Sequence, residues 1–129
     1  MSFTTCIEQN VKLKASYIYR GLSYNLLEKY QKAVDDYTSA INIDPNYSLA
    51  YYNRALTYKA MGNNDEAIND YTRTINIDPT IGIAHQNRGL IYFDQGRYDD
   101  AIADYNVVIK IDPNYAFAYN NRGVAHSKN

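Results

Sequence analysis

Four arginines, Arg20, Arg54, Arg88 and Arg122, follow one another at a single fixed step. A ladder of guanidinium groups can bind anions, because each offers five donors in a planar fork. The surrounding spacing argues for another use. Asp36, Asp70 and Asp104 each follow an arginine at one constant, shorter interval. A carboxylate is the partner that a guanidinium holds through two parallel bonds. Three Arg–Asp pairs that tie helices together are therefore expected, with Arg122 left free because no such Asp follows it. The other reactive side chains are few. His85 and His126 are the only histidines, and Cys6 is the only cysteine. No zinc spacing, HExxH motif or Gly-rich phosphate loop occurs. The histidines read as packing residues. Cys6 aligns with the small residue Ala40 and reads as a buried thiol. Asp99, Asp100 and Asp104 read as a solvated helix start. No nucleophile–base pair stands out, so no enzyme, cofactor or metal site is expected.

Those arginines must be positioned by a repeated element. Asp-Pro recurs at Asp44-Pro45, Asp78-Pro79 and Asp112-Pro113 with the same 34-residue step. So do Ala33, Ala67 and Ala101, and Asp36-Tyr37, Asp70-Tyr71 and Asp104-Tyr105. Gly21, Ala55, Gly89 and Gly123 obey it too. A period of this length marks a stack of supersecondary units. The units run 14–47, 48–81 and 82–115, with a partial fourth over 116–129. Phe3-Thr4-Thr5-Cys6-Ile7 aligns with Tyr37-Thr38-Ser39-Ala40-Ile41, so residues 1–13 read as a remnant second helix.

Each unit reads as two helices with apolar residues at helical spacing. Gly62 and Gly96 stop the first helix of their units, since glycine takes the left-handed conformation without a β-carbon clash. Acids at Asp65-Glu66 and Asp99-Asp100 suit the positive end of the next helix. Asp-Pro ends the second helix, because a residue before proline is pushed out of helical geometry. Asn46, Thr80 and Asn114 are expected N-caps. Helices are predicted over 14–27, 31–43, 48–61, 65–77, 82–95, 99–111 and 116–127. Small residues at Gly21, Ala55 and Gly89 let the paired helices approach. Thirteen of the fifteen tyrosines recur at five places of the unit and read as packing.

Composition fits a folded soluble chain, with 46% hydrophobic and 21% charged residues. A net charge of −1 gives no electrostatic footprint for nucleic acid or an anionic membrane. No apolar run approaches the roughly 18 residues that span a bilayer. The start lacks the basic and apolar regions of a signal peptide. A cytoplasmic protein is expected.

The pattern closely resembles the tetratricopeptide repeat family. Its landmarks stand at Gly21, Tyr24, Ala33, Tyr37 and Pro45, recur at Ala55, Tyr58, Ala67, Tyr71 and Pro79, and recur again at Gly89, Tyr92, Ala101, Tyr105 and Pro113. Tyr17, Tyr51, His85 and Tyr119 take the place of the family's opening Trp. The resemblance implies an all-α solenoid of antiparallel helical hairpins in one domain over 1–129, wound as a right-handed superhelix. It also implies a non-catalytic scaffold that binds a peptide or protein segment on a concave face lined by the first helices. The positions it assigns to that face include Ile18, Leu22, Asn25, Tyr52, Asn53, Leu56, Lys59, Gln86, Asn87, Leu90 and Phe93. Ala15, Leu49, Ile83, Asn120 and Asn121 extend it. Tyr52 and Phe93, which vary between units, are expected to be open to a ligand, whereas Leu22, Leu56 and Leu90 read as packing between neighbouring units. Some members clamp a chaperone's C-terminal carboxylate with Lys, Asn, Asn, Lys and Arg. Here the matching positions are Ile18, Leu22, Asn53, Ile83 and Asn87, and only Asn53 agrees. A carboxylate clamp is not expected.

Two other readings stand beside this one. The last helix carries Phe117, Tyr119 and Val124 and does not look like a polar cap. Solenoid ends need one, so self-association into a homo-oligomer through this helix is the structural alternative. Pentatricopeptide repeats share the build and bind RNA through basic grooves. Here the three full units carry 0, −1 and −2, which argues against nucleic acid.

Overall fold

A computed structural model describes residues 3–129; Met1, Ser2 and the side chain of Phe3 lie outside the described part. The two terminal residues of the expected remnant helix therefore go undescribed. The described residues form seven helices and no strand: α1 (Phe3–Leu26), α2 (Tyr30–Ile43), α3 (Ser48–Ala60), α4 (Asn64–Ile77), α5 (Gly82–Asp94), α6 (Tyr98–Ile111) and α7 (Ala116–Lys128). The architecture is an all-α solenoid of helical hairpins. No helix among the described residues is long and apolar enough to cross a membrane.

Six helices follow the predicted boundaries closely. The first does not. Residues 3–26 make one unbroken helix, where a remnant second helix and a separate first helix were expected. The cause lies in the turn sequence. Asp44-Pro45 and its repeats end α2, α4 and α6, but the equivalent residues are Asn10-Val11, which carry no proline to break the ladder. The first half of α1 consequently leaves Cys6 exposed, not buried as expected, with Ile7 and Val11 also exposed.

The turns show which local chemistry operates. Gly62 and Gly96 take φ of 82° and 77° after α3 and α5, as their positions predicted. Glu28 stands at the equivalent place after α1 with φ of 60°. The N-caps differ from expectation. Tyr47, Ile81 and Tyr115 occupy the cap positions, with no side-chain capping bond. Asn46, Thr80 and Asn114 instead donate backbone N–H groups to the carboxylates of Asp44, Asp78 and Asp112, at 3.1, 3.0 and 3.2 Å. The aspartate folds the turn and proline ends the helix. These bonds, with Lys14 on Asp44 and the Thr80 hydroxyl on Asp78, hold the Asp44 and Asp78 carboxyls below the usual carboxylate range.

The chain divides into two compact units, Met1–Asp70 and Tyr71–Asn129. In the first, Ile18, Ala33, Tyr37, Ala40 and Ala50 form a buried cluster, with Tyr17, Tyr24, Ile41 and Tyr47 packed against it. In the second, Ala84, Ile91, Ala101, Tyr105, Val108, Ala118 and Ala125 are buried. Close helix approach depends on the small residues. A β-carbon on Gly89 would come within 2.9 Å of the Tyr105 ring.

Candidate functional site

The arginine ladder belongs to the framework. Arg20 donates Nε and Nη2 to Asp36 at 2.8 and 2.6 Å. Arg54 holds Asp70 in the same way at 2.7 and 2.8 Å, and Arg88 holds Asp104 at 2.9 and 2.7 Å. Each pair is bidentate, as the constant Arg-to-Asp interval predicted. A second set of bonds runs the other way along the chain. Arg54 Nη1 donates to Thr38 Oγ1 and Arg88 Nη1 to Thr72 Oγ1, both at 3.0 Å. Arg122 Nη1 donates to Asn106 Oδ1 at 2.9 Å, so Arg122 is not free as expected. The signal was present: Thr38, Thr72 and Asn106 share the repeat step and precede their arginines by the same interval that separates each Arg from its Asp. Each of these three arginines thus joins its own helix to the preceding second helix.

Aromatic rings complete the setting. The Arg54 guanidinium lies 5.6 Å from the Tyr51 ring centroid and 5.9 Å from that of Tyr58. Arg20 sits likewise between Tyr17 and Tyr24. Such faces attract cations. The Arg54 charge is disfavoured by burial, which the Asp70 bonds outweigh, so its pKa is raised. Hydrogen bonding to Asp104 raises Arg88 in the same sense. His85 replaces the tyrosine beside Arg88. It is buried, and its Nδ1 lies 3.2 Å from Asp104 Oδ1. Packing describes it, as expected, whereas His126 is exposed. Asp99 and Asp100 are solvated, but Asp104 is buried and paired and does not belong to that patch.

The candidate binding positions separate by burial. In the first unit, Ile18 is only 3% exposed and belongs to the core cluster, and Asn53 is buried. Neither can present its side chain to a ligand without displacement. Ile18 faces Tyr37 and Ala33 because α1 packs that side against α2. Asn25 is half-buried and accepts a 3.0 Å bond from Thr57 Oγ1, which ties α1 to α3. Leu22, Leu56 and Lys59 are exposed, and Tyr52 is half-buried.

In the second unit, Gln86 is only 2% exposed, and neither its Nε2 nor its Oε1 has a hydrogen-bond partner among the described residues. Asn87, Leu90 and Phe93 are half-buried, and Phe93 meets Tyr98 edge-on with centroids 5.4 Å apart. Phe93 is thus less open than its variability between units suggested.

Gln86 borders an open pocket of about 220 Å³. Gly82 and Ile83 of α5, Val108 and Ile111 of α6, and Asp112 and Tyr115 of the following turn complete its lining. Sequence reasoning named Ile83 and Gln86 for a binding face but missed the α6 wall. Val108 and Ile111 follow the ordinary apolar period of a packed helix, so nothing marked them as lining. On α7, Phe117, Tyr119 and Val124 are all exposed. Among the described residues no group of three or more His, Cys, Asp or Glu could hold a metal ion.

The geometry is repeated across known proteins. A tetratricopeptide repeat pattern matches residues 48–81, and a TPR repeat pattern matches 21–62 and 89–129. No curated protein matches the chain in sequence. Solved structures do. The second TPR domain of human RPAP3, in complex with HSP70 peptide SGPTIEEVD, is 26% identical, over 91% of this chain and 98% of that one, with a TM-score of 0.82. The Sgt2 TPR domain from Aspergillus fumigatus is 26% identical over 89% of this chain and 78% of that one, with a TM-score of 0.78. The first TPR of Spaghetti (RPAP3), bound to HSP90 peptide SRMEEVD, has a TM-score of 0.83 at 24% identity, over 90% and 92% of the two chains. With the patterns matching most of the chain and its hairpins superposing on such domains, the chain belongs to the tetratricopeptide repeat family.

Proposed function

We propose that this protein is a non-catalytic scaffold that holds a peptide or protein segment on its first-helix faces, in a cytoplasmic setting, with the pocket beside Gln86 as anchor. The pocket is the observation that carries this reading. Its walls are Ile83, Val108, Ile111 and Tyr115, which suit an aliphatic or aromatic side chain. Gln86 borders these walls but is buried, so its amide, which carries both a donor and an acceptor, would reach a peptide only after displacement. Similar domains hold HSP70 and HSP90 peptides that end in acidic residues, which supports a peptide-sized ligand. The chemistry of the ligand here differs. Ile18, Leu22, Asn53, Ile83 and Asn87 stand where a carboxylate clamp would place its polar and basic groups, and two of the five are buried. An uncharged segment with an apolar anchor fits these residues better than an acidic tail.

Selection from a random linear peptide library tests the reading. Wild type is expected to enrich peptides that share an aliphatic or aromatic anchor, and Ile83→Glu is expected to lose them. No enrichment, or equal binding of the selected peptides to both proteins, would overturn it.

A further inference from the structure

We propose that the pocket beside Gln86 takes a primary alkylammonium group, seated between the Asp112 carboxylate and the Tyr115 ring. This goes beyond peptide binding: it concerns a positive charge at the pocket, whereas the anchor of a peptide needs only the apolar walls.

The first repeat already holds such a group. Lys14 Nζ pairs with Asp44 Oδ2 at 3.0 Å and lies over the Tyr47 ring, 4.3 Å from its centroid. A carboxylate and an aromatic face both attract positive charge, so together they select a cation over a neutral group.

The third repeat keeps the receptor and omits the lysine. By the repeat step, Asp112 and Tyr115 correspond to Asp44 and Tyr47, and Gly82 takes the place of Lys14. All three line the one pocket. Asp112 Oδ1 accepts the Asn114 N–H at 3.2 Å, as Asp44 Oδ1 accepts that of Asn46 at 3.1 Å, so the two turns hold their carboxylates alike. Among the described residues no cation pairs with Asp112. The second repeat has lost the receptor. Ile81 replaces the tyrosine, and Asp78 Oδ1 accepts both the N–H and the hydroxyl of Thr80.

The remaining walls suit the rest of the ligand. Ile83, Val108 and Ile111 offer an aliphatic surface to a stem of methylene groups. A β-carbon on Gly82 would lie an ordinary 3.8 Å from Ile111. Room for a carbon chain thus begins where the Lys14 side chain begins in the first repeat. A neutral guest of the same shape fits these walls but leaves the carboxylate and the ring face unused.

Titration of isotope-labelled protein with n-butylammonium chloride, followed by amide NMR at constant ionic strength, tests this, with n-butanol as the neutral match. Wild type should show saturable shifts centred on residues 82–86 and 108–115, with a Kd on the order of millimolar for so small a ligand. Butanol should bind about tenfold more weakly, since it gains neither the ring nor the carboxylate. Asp112→Asn keeps an oxygen for the Asn114 N–H but drops the charge, and should weaken butylammonium binding several-fold. Gly82→Lys supplies its own ammonium, as Lys14 does, and should abolish the shifts. The amide spectrum of each variant verifies that it folds. A blocked lysine, Nα-acetyl-lysine amide, distinguishes the two sources of the group. Tighter binding than butylammonium assigns it to a lysine of a partner chain, and equal or weaker binding to a free amine. Equal binding of butanol would leave the pocket as an apolar anchor and overturn the ammonium site. So would butylammonium shifts that persist unchanged in Asp112→Asn or in Gly82→Lys, or their absence from wild type.

Discussion

The ring of Tyr37 lies so close over Gly21 that a β-carbon at Gly21 would stand 2.6 Å from Tyr37 Cε1. Tyr37 is almost wholly buried, so its ring has little room to give. Gly123 holds the same place in the repeat with open space around it. Glycine inside a helix costs about 1 kcal/mol relative to alanine. Gly123→Ala should therefore stabilise by about that amount in dilute solution. In Gly21→Ala the same gain is opposed by overpacking of about 1–3 kcal/mol, and net destabilisation is expected. Urea midpoints of the two variants decide it; a stabilised Gly21→Ala protein would mean that the α1–α2 pair is not close-packed.

That contrast shows what repetition in a sequence reveals. The repeat step located Gly21, Tyr37, the Arg–Asp pairs and six of the seven helices, because identical slots need identical residues. Its failures are equally local. The family resemblance, for its part, placed Ile18, Asn53 and Gln86 on an open face, yet the side on which each helix packs is set by tertiary contacts that no spacing records. The repeat step divided α1 at residue 14, although the division depends on a proline that Val11 replaces. It left Arg122 free because the missing Asp drew notice while Thr38, Thr72 and Asn106 did not. The α6 wall of the pocket stayed hidden because Val108 and Ile111 look like ordinary core.

Gln86 offers a trade between stability and binding. Ile18 fills the equivalent place in the first repeat and is buried in an apolar cluster. At Gln86 the same burial leaves both amide atoms unpartnered. A buried polar group without a partner costs roughly 1–3 kcal/mol. Gln86→Ile is expected to raise stability by about that amount. If a ligand displaces Gln86 from its buried position and pairs its backbone with the amide, the same change should weaken capture of the selected peptides. A variant that gains stability and binds as tightly as wild type would remove Gln86 from the site while leaving the pocket in place.

The paired tyrosines respond differently to loss of the hydroxyl and to alkali. Burial raises the Tyr37 hydroxyl, and a hydrogen bond with Thr57 opposes that rise. The interval from Tyr37 to Thr57, counted on from Tyr105, leads to Ala125, which offers no such group. The Tyr105 hydroxyl has no partner among the described residues. Burial, reinforced by Asp94 and Asp104, pushes Tyr105 up from 10.0 to about 12. The folded state therefore favours the neutral phenol. Its contribution is complete below the ordinary value and is lost as pH rises through that of the folded state. Stability should fall between about pH 10 and pH 12, and Tyr105→Phe should reduce that fall. At neutral pH, Tyr105→Phe should cost nothing, whereas Tyr37→Phe should cost about 0.5–1.5 kcal/mol. Equal costs at neutral pH would contradict the difference in hydroxyl partners.

Glu28 occupies a turn that the other repeats give to glycine. Its φ of 60° compares with 82° at Gly62 and 77° at Gly96. A β-carbon in the left-handed region costs roughly 1–2 kcal/mol, and Glu28 is exposed, with no packing to lose. Glu28→Gly is expected to stabilise by about 1 kcal/mol, after the greater entropy lost by glycine on folding. Differential scanning calorimetry measures it, and an unchanged or lower midpoint would show that the turn relaxes without cost around Glu28.

The Arg–Asp pairs should rank by burial. Arg54 is 12% exposed and its partner Asp70 only 1%, whereas Arg20 is 59% exposed over an equally engaged Asp36. Removing Arg54 breaks the two-pronged contact with the buried Asp70 and also ends the bond to Thr38. Losing one partner of such a pair costs about 3–5 kcal/mol. Water can reach the place vacated by Arg20 and replace part of what is lost, so Arg20→Ala should be milder. Arg54→Lys keeps the charge but cannot form the two-pronged contact, and should fall between wild type and Arg54→Ala. Urea titration of the three variants, read beside peptide binding, separates framework from ligand site. An Arg54→Ala protein as stable as wild type but unable to bind peptide would return the arginine ladder to the role of anion receptor.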